Sequence, residues 1–139
     1  MTTLTHAPVP FADVRHHPLT TAGLVLLFWL FAAMLAATCH RLLDARSLSG
    51  SAVATIFAVA GVAYAYTRLC ARCAGIAHAL GVGSAWLVLA IAAELAITSR
   101  TGHGWYALLG TPAHPLLRNV FLFLWVFAPA LFAGRERDA

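Results

Sequence analysis

The chain has 139 residues, of which 61% are hydrophobic and 10% are charged, and its formal net charge is +4. Soluble domains are nearer one half apolar and about one quarter charged, so this composition argues against a soluble globular domain. All nine basic residues are arginines scattered near the ends of long apolar runs, which argues against a nucleic-acid-binding patch. We therefore expect one membrane domain and no nucleic-acid partner.

The first apolar run follows a polar tail, residues 1–19, which is rich in proline and histidine. A transmembrane helix needs about 20 predominantly apolar residues to cross the hydrocarbon core. The chain is uncharged from Pro18 to Cys39, so we predict the first span at residues 20–39.

The second span is predicted at residues 48–67 and is followed by Arg68. Ala54, Ala58 and Gly61 lie at helical spacing within it, and small residues allow close helix approach in membranes. The connection to the next span is short, which predicts that the second and third spans are antiparallel neighbours.

The third span, residues 76–98, carries the acidic residue Glu94 inside an apolar run. An ionisable residue at membrane depth is energetically unfavourable, and by default it indicates a functional site. Gly81 and Gly83 lie in the first half of this span, where glycine typically marks close packing in membrane helices.

The loop at residues 99–114 contains an apolar stretch that is too short to cross a membrane. Its aromatic residues Trp105 and Tyr106 predict a half-buried interfacial segment that they anchor. The fourth span is predicted at residues 115–134, because Pro115 suits the first position of a helix. Arg118 then lies in the first turn, and Pro129 should kink the helix.

These elements predict an all-α polytopic membrane protein with four transmembrane helices in an antiparallel bundle. The transmembrane domain covers residues 20–134, and residues 135–139 form a short C-terminal tail. Four spans place both termini on one side, and that side holds five arginines against four on the other. The positive-inside rule then favours cytoplasmic termini, and we expect a bacterial inner membrane as the location.

A polar site is predicted where the end of the first span, the end of the third and the start of the fourth share one side. The ionisable and polar residues there are His40, Glu94, His114, Arg118 and Asn119. Intramembrane charges usually pair, so we expect Glu94 to form an ion pair with Arg118. The chain has no sequence pattern of a Ser-His-Asp catalytic triad, no phosphate-binding glycine loop and no CxxCH motif. We therefore predict no catalytic residue.

Metal and haem sites have weaker sequence support. Cys70 and Cys73 form a CxxC pair near His78, which suits zinc or a redox dithiol, or else two small apolar groups at a helix end. Haem would need facing histidines at one depth, such as His40 with His114 or His103. We predict no cofactor from these residues, although they leave zinc and haem open.

Three functions are compatible with this pattern. The first is a non-catalytic membrane module or accessory subunit, which contacts the bilayer and packs into a homo-oligomer or larger membrane complex. The alternative is a small proton-coupled transporter that uses Glu94, with histidine as a relay. The third is a redox membrane protein that binds haem or a metal. Tight pairing of Glu94 with Arg118 within one chain favours the first function, and an unpaired Glu94 facing a cavity favours the second.

Overall fold

The computed structural model describes residues 18–43, 47–71 and 74–133, and these residues form four helices without a strand. The helices are α1 (Pro18–Leu43), α2 (Leu48–Leu69), α3 (Ile76–Thr101) and α4 (Pro115–Phe132). All four are long and apolar enough to cross a membrane. The predicted all-α membrane fold is therefore confirmed. Most of the predicted N-terminal tail and all of the C-terminal tail lie outside the described residues.

The ends of the helices follow local sequence signals. Ser47 is the N-cap of α2 and its hydroxyl accepts a hydrogen bond from the Gly50 amide at 3.0 Å. Gly102 ends α3 in the left-handed conformation, with φ of 68°. Pro115 occupies the start of α4, as predicted.

Three helices extend beyond their predicted ends, because arginine is compatible with a final helical turn. α1 continues to Leu43 past Arg41, α2 to Leu69 past Arg68, and α3 to Thr101 past Arg100. A cation interacts favourably with the negative end of the helix dipole, and the long arginine side chain can reach the membrane surface. α4 is shorter than predicted, with 18 residues and a length of about 27 Å.

The packing order of the helices differs from their order in the chain. α1 packs against α2, α2 against α4, and α4 against α3, whereas α1 and α3 touch only sparsely. The prediction that α2 and α3 are close neighbours is therefore wrong at the level of the backbone. The short connection joins only the end of α2 to the start of α3. Over the rest of their lengths, both α2 and α3 pack against α4.

A chain of edge-to-face aromatic contacts passes through the bundle and uses one residue from each helix. Phe28 contacts Tyr66, Tyr66 contacts Trp86, and Trp86 contacts Trp125, with ring centroids 5.5, 6.0 and 6.3 Å apart. Such pairs contribute about 0.5–1.5 kcal/mol each beyond their area of burial. The Trp86 indole also donates a hydrogen bond to the Val25 carbonyl at 3.0 Å, which links α3 to α1.

Only some of the predicted small-residue positions lie at close helix contacts. A Cβ atom added at Gly83 would overlap the backbone carbonyl of Val126, so α3 and α4 approach closely at this point. Gly61 and Gly81 have open space beside them instead. The predicted close packing at those two glycines is therefore not found within the described part of this chain.

Candidate intramembrane polar site

The loop between α3 and α4 folds back into the bundle at residues 105–110, here called the re-entrant segment. Ala107, Leu108, Leu109 and Gly110 are buried, and Leu108 is completely inaccessible. Tyr106 remains 40% exposed. The sequence correctly predicted a partly buried segment, but the aliphatic residues after the two aromatics form its inserted part.

Irregular backbone at membrane depth is tolerated only where protein groups satisfy its hydrogen bonds. The Leu109 amide donates to Glu94 Oε2 at 3.1 Å, and the Trp125 indole donates to the Leu108 carbonyl at 2.9 Å. The Trp105 amide also lies 3.4 Å from the Thr98 hydroxyl oxygen. Side chains of α3 and α4 therefore hold the re-entrant segment from two sides.

Glu94 lies farther from the end of its helix than the predicted span implied, because α3 continues to Thr101. Seven residues at 1.5 Å each place its Cα about 10 Å from the end of the helix. The residue is partly buried, and it is the only acidic residue within the described ranges. Its carboxylate is thus positioned to accept a hydrogen bond from inserted backbone.

Arg118 interacts with Glu94 only at longer range. It is exposed in the first turn of α4, and it attracts the carboxylate electrostatically. In the described part of the chain no direct ion pair joins the two residues, and the Leu109 amide is the direct partner of Glu94. The structure therefore supplies a backbone partner where the sequence predicted a guanidinium.

The remaining residues of the predicted polar site lie near the end of α1 and the start of α4. His114 is the exposed N-cap of α4 and Asn119 is exposed one turn later. His40 lines a cavity of about 270 Å³ between α1, α2, α4 and the re-entrant segment, together with Thr55 and Gly110. Glu94 does not line this cavity.

Two of the residues considered for metal, Cys70 and His78, both line a groove between α1 and α3. His78 Nε2 lies 3.2 Å from the Tyr66 hydroxyl oxygen, and the Cys70 thiol is free. Cys73 lies outside the described residues, and those residues contain no group of three metal-ligating side chains. His103 directs Nδ1 to the Thr101 carbonyl oxygen at 2.9 Å.

The sequence did not indicate three components of this site, which are Trp125 and the backbone of Leu108 and Leu109. Trp125 lies among apolar neighbours in α4, so no local pattern marks it as a hydrogen-bond donor. Gly110 is the one residue whose type could have indicated the inserted turn. The turn ends at Gly110 with a φ of 75°, a conformation that favours glycine. A glycine after a short apolar stretch in a loop is consistent with such a turn.

No known protein family, curated protein or solved structure matches this chain. The chemistry of the site therefore comes from its own residues: one carboxylate, one indole and the inserted backbone that they hold.

Proposed function

We propose that this protein is a non-catalytic integral membrane module, acting as an accessory subunit or as part of a homo-oligomer. In this proposal Glu94 has a structural role, because it accepts the hydrogen bond of a buried backbone amide. The observation that supports it is the 3.1 Å contact from the Leu109 amide to Glu94 Oε2. The proposed location is a bacterial inner membrane with cytoplasmic termini.

The geometry is less favourable for proton-coupled transport through Glu94. Coupling acids in transporters face a water-filled path, where they can exchange protons. Glu94 lines neither the cavity beside His40 nor a groove of about 1370 Å³ that runs between α1 and α3. A transport cycle would also have to release the Leu109 amide each time the carboxylate was used.

The outer surface supports contact with lipid or with other membrane subunits. Large apolar side chains on every helix are exposed, among them Phe31, Phe57, Val88 and Phe123. Helices in membranes associate through packing and hydrogen bonds rather than through hydrophobic driving force. This surface therefore suits the bilayer, and it equally suits a second copy or a larger complex.

Substitution of Glu94 tests the structural role. We expect Glu94→Ala to lower the free energy of unfolding by about 2 kcal/mol, because the buried Leu109 amide loses its acceptor. Glu94→Gln keeps an acceptor oxygen at the same position and should lose less than half as much. Unfolding in detergent, followed by circular dichroism, measures both variants.

Arg118→Gln provides the matched control, because Arg118 is exposed and makes no direct bond to the carboxylate in the described part of the chain. We expect a change of at most about 0.5 kcal/mol, as for other exposed charge interactions. Equal losses for Glu94→Gln and Arg118→Gln, recovered in the double variant, would instead indicate a direct ion pair. Unchanged stability in Glu94→Ala, with loss of proton flux in liposomes, would favour the transporter.

The proposed orientation predicts opposite accessibility at the two ends of the bundle. In a variant whose three cysteines are replaced by serine, Gly75→Cys should react only with a reagent that reaches the cytoplasm. Ala113→Cys should react with an impermeant reagent added outside, because it lies in the loop between α3 and α4. The reverse pattern would place the termini outside.

A further inference from the structure

The cavity of about 270 Å³ beside His40 has polar side chains on several of its walls. They come from α1, α2 and the loop between α3 and α4, and they belong to His40, Ser51, Thr55, Tyr106 and Thr111. Among the described residues, α4 contributes only apolar side chains to the lining. Hydroxyl groups and an imidazole on three walls suit a polar occupant rather than a lipid chain.

Ser51 brings an unpartnered hydroxyl to this cavity. The residue is only 4% exposed. Its amide donates to the Ser47 carbonyl at 3.1 Å, and its carbonyl accepts from the Thr55 hydroxyl at 2.9 Å. The Ser51 hydroxyl itself has no hydrogen-bond partner in the described part of the chain. Burial of a hydroxyl without a partner is unfavourable, so Ser51 indicates a partner inside the cavity.

The backbone of Ala107 in the re-entrant segment points to the same conclusion. Ala107 lines the cavity and is 4% exposed. Neither its amide nor its carbonyl bonds to another residue of the described ranges, whereas the nearby Leu109 amide donates to Glu94. Irregular backbone at membrane depth is tolerated where it is buried in protein or lines a water-filled cavity. Ala107 therefore adds one donor and one acceptor that need partners.

The size and charge of the cavity match water. Each water molecule occupies about 30 Å³ in the liquid, so the cavity has room for several. It extends to Thr55, which lies about 11 Å from the start of α2 at 1.5 Å per residue. No acidic residue and no arginine of the described ranges lines it. Neutral groups that include donors and acceptors are matched by a neutral molecule that both donates and accepts.

We propose that this cavity binds a cluster of ordered water molecules, which solvate the Ser51 hydroxyl and the Ala107 backbone. Buried water typically makes about three hydrogen bonds to otherwise unpaired polar groups. Glu94 and Trp125 then hold Leu109 and Leu108, while water satisfies Ala107. The site goes beyond the structural role proposed for Glu94 and is independent of it, because Glu94 does not line the cavity.

Amide hydrogen exchange of the wild-type protein in detergent, resolved by residue with NMR, tests this site without any substitution. We expect the Ala107 amide to exchange at least about tenfold faster than the Leu109 amide, because water contacts the first and Glu94 accepts from the second. Equal protection of the two amides would contradict water at Ala107.

Cysteine reactivity tests whether water reaches α2. In a variant whose three cysteines are replaced by serine, Thr55→Cys should react with a small methanethiosulfonate at least about tenfold faster than Val59→Cys, because the reactive thiolate forms in water and not in apolar surroundings. Val59 is the matched control, since it lies one turn further along α2, is completely buried and does not line the cavity.

Filling the cavity supplies a second control. Ala52 lines the cavity and Ala54 does not, although both belong to α2. Ala52→Leu should displace the water and slow the reaction of Thr55→Cys about tenfold, and Ala54→Leu should leave the rate unchanged.

Three outcomes of the cysteine experiment would overturn the proposal. Equal rates for Thr55→Cys and Val59→Cys would show that the cavity is dry. A rate that Ala52→Leu leaves unchanged would place the water elsewhere. Protection of Thr55→Cys by millimolar glycerol would identify a small polyol, rather than water, as the occupant.

Discussion

Gly83→Ala is expected to destabilise the bundle by about 3 kcal/mol or more, at the upper end of the range for overpacking substitutions. The added methyl group would overlap the carbonyl oxygen of Val126, which is backbone and has no rotamer that relieves the clash. α3 and α4 would have to separate along their length. This separation would also pull Trp125, the neighbour of Val126, away from its contact with Trp86.

Gly81→Ala is the matched control, because it lies two residues away on the same helix with open space beside it. The higher helix propensity of alanine should make this variant neutral or slightly more stable. Reversible unfolding in mixed detergent micelles gives both free energies. Equal stability of the two variants would contradict the close approach of α3 and α4.

Trp125→Phe should cost about 3 kcal/mol, the second largest effect that we expect. The substitution removes the indole that donates to the Leu108 carbonyl at 2.9 Å, and it leaves that oxygen buried without this donor. An unsatisfied buried polar group costs about 1–3 kcal/mol, and the smaller ring adds a cavity beside Trp86. The re-entrant segment should also loosen, which increased hydrogen exchange at residues 105–110 would detect.

Trp29→Phe separates these two contributions. Trp29 is also a buried tryptophan, but its indole nitrogen has no hydrogen-bond partner among the described residues. Its replacement loses ring volume without breaking a hydrogen bond, so we expect a loss of about 1 kcal/mol at most. If the two phenylalanine variants lost the same stability, the Trp125–Leu108 bond would contribute nothing measurable.

The re-entrant segment gives a physical reason for an acid inside a transmembrane helix. A turn of irregular backbone brings amides into a region without water, and each needs an acceptor from the protein. A carboxylate accepts more strongly than a neutral group, so a single Glu94 suits a buried amide. An acidic residue at membrane depth is thus compatible with architecture alone, without transport or catalysis.

This interpretation connects the fold to the proposed function. α3 and α4 hold the re-entrant segment at one end of the bundle through Glu94 and Trp125. At the other end the sparse contact between α1 and α3 leaves a groove that shares no residue with this region.

Much of the architecture follows from the sequence alone. The lengths of the apolar runs and the arginines near their ends predict four transmembrane helices, since a helix must cover the hydrocarbon core and place its charges near water. Pro115 indicates the start of the fourth helix because its fixed backbone angle suits the first helical position. The sequence also shows that Glu94 needs a partner, because an isolated carboxylate in hydrocarbon is unfavourable.

Only the tertiary structure decides which partner that is. Arg118 and the Leu109 amide both come after Glu94 in the chain, and the choice depends on how deeply the loop inserts between α3 and α4. In the same way, Gly61, Gly81 and Gly83 have the same local chemistry, but only Gly83 meets the backbone of another helix. Helix crossing and loop insertion result from the packing of all four helices together, so no local pattern specifies them.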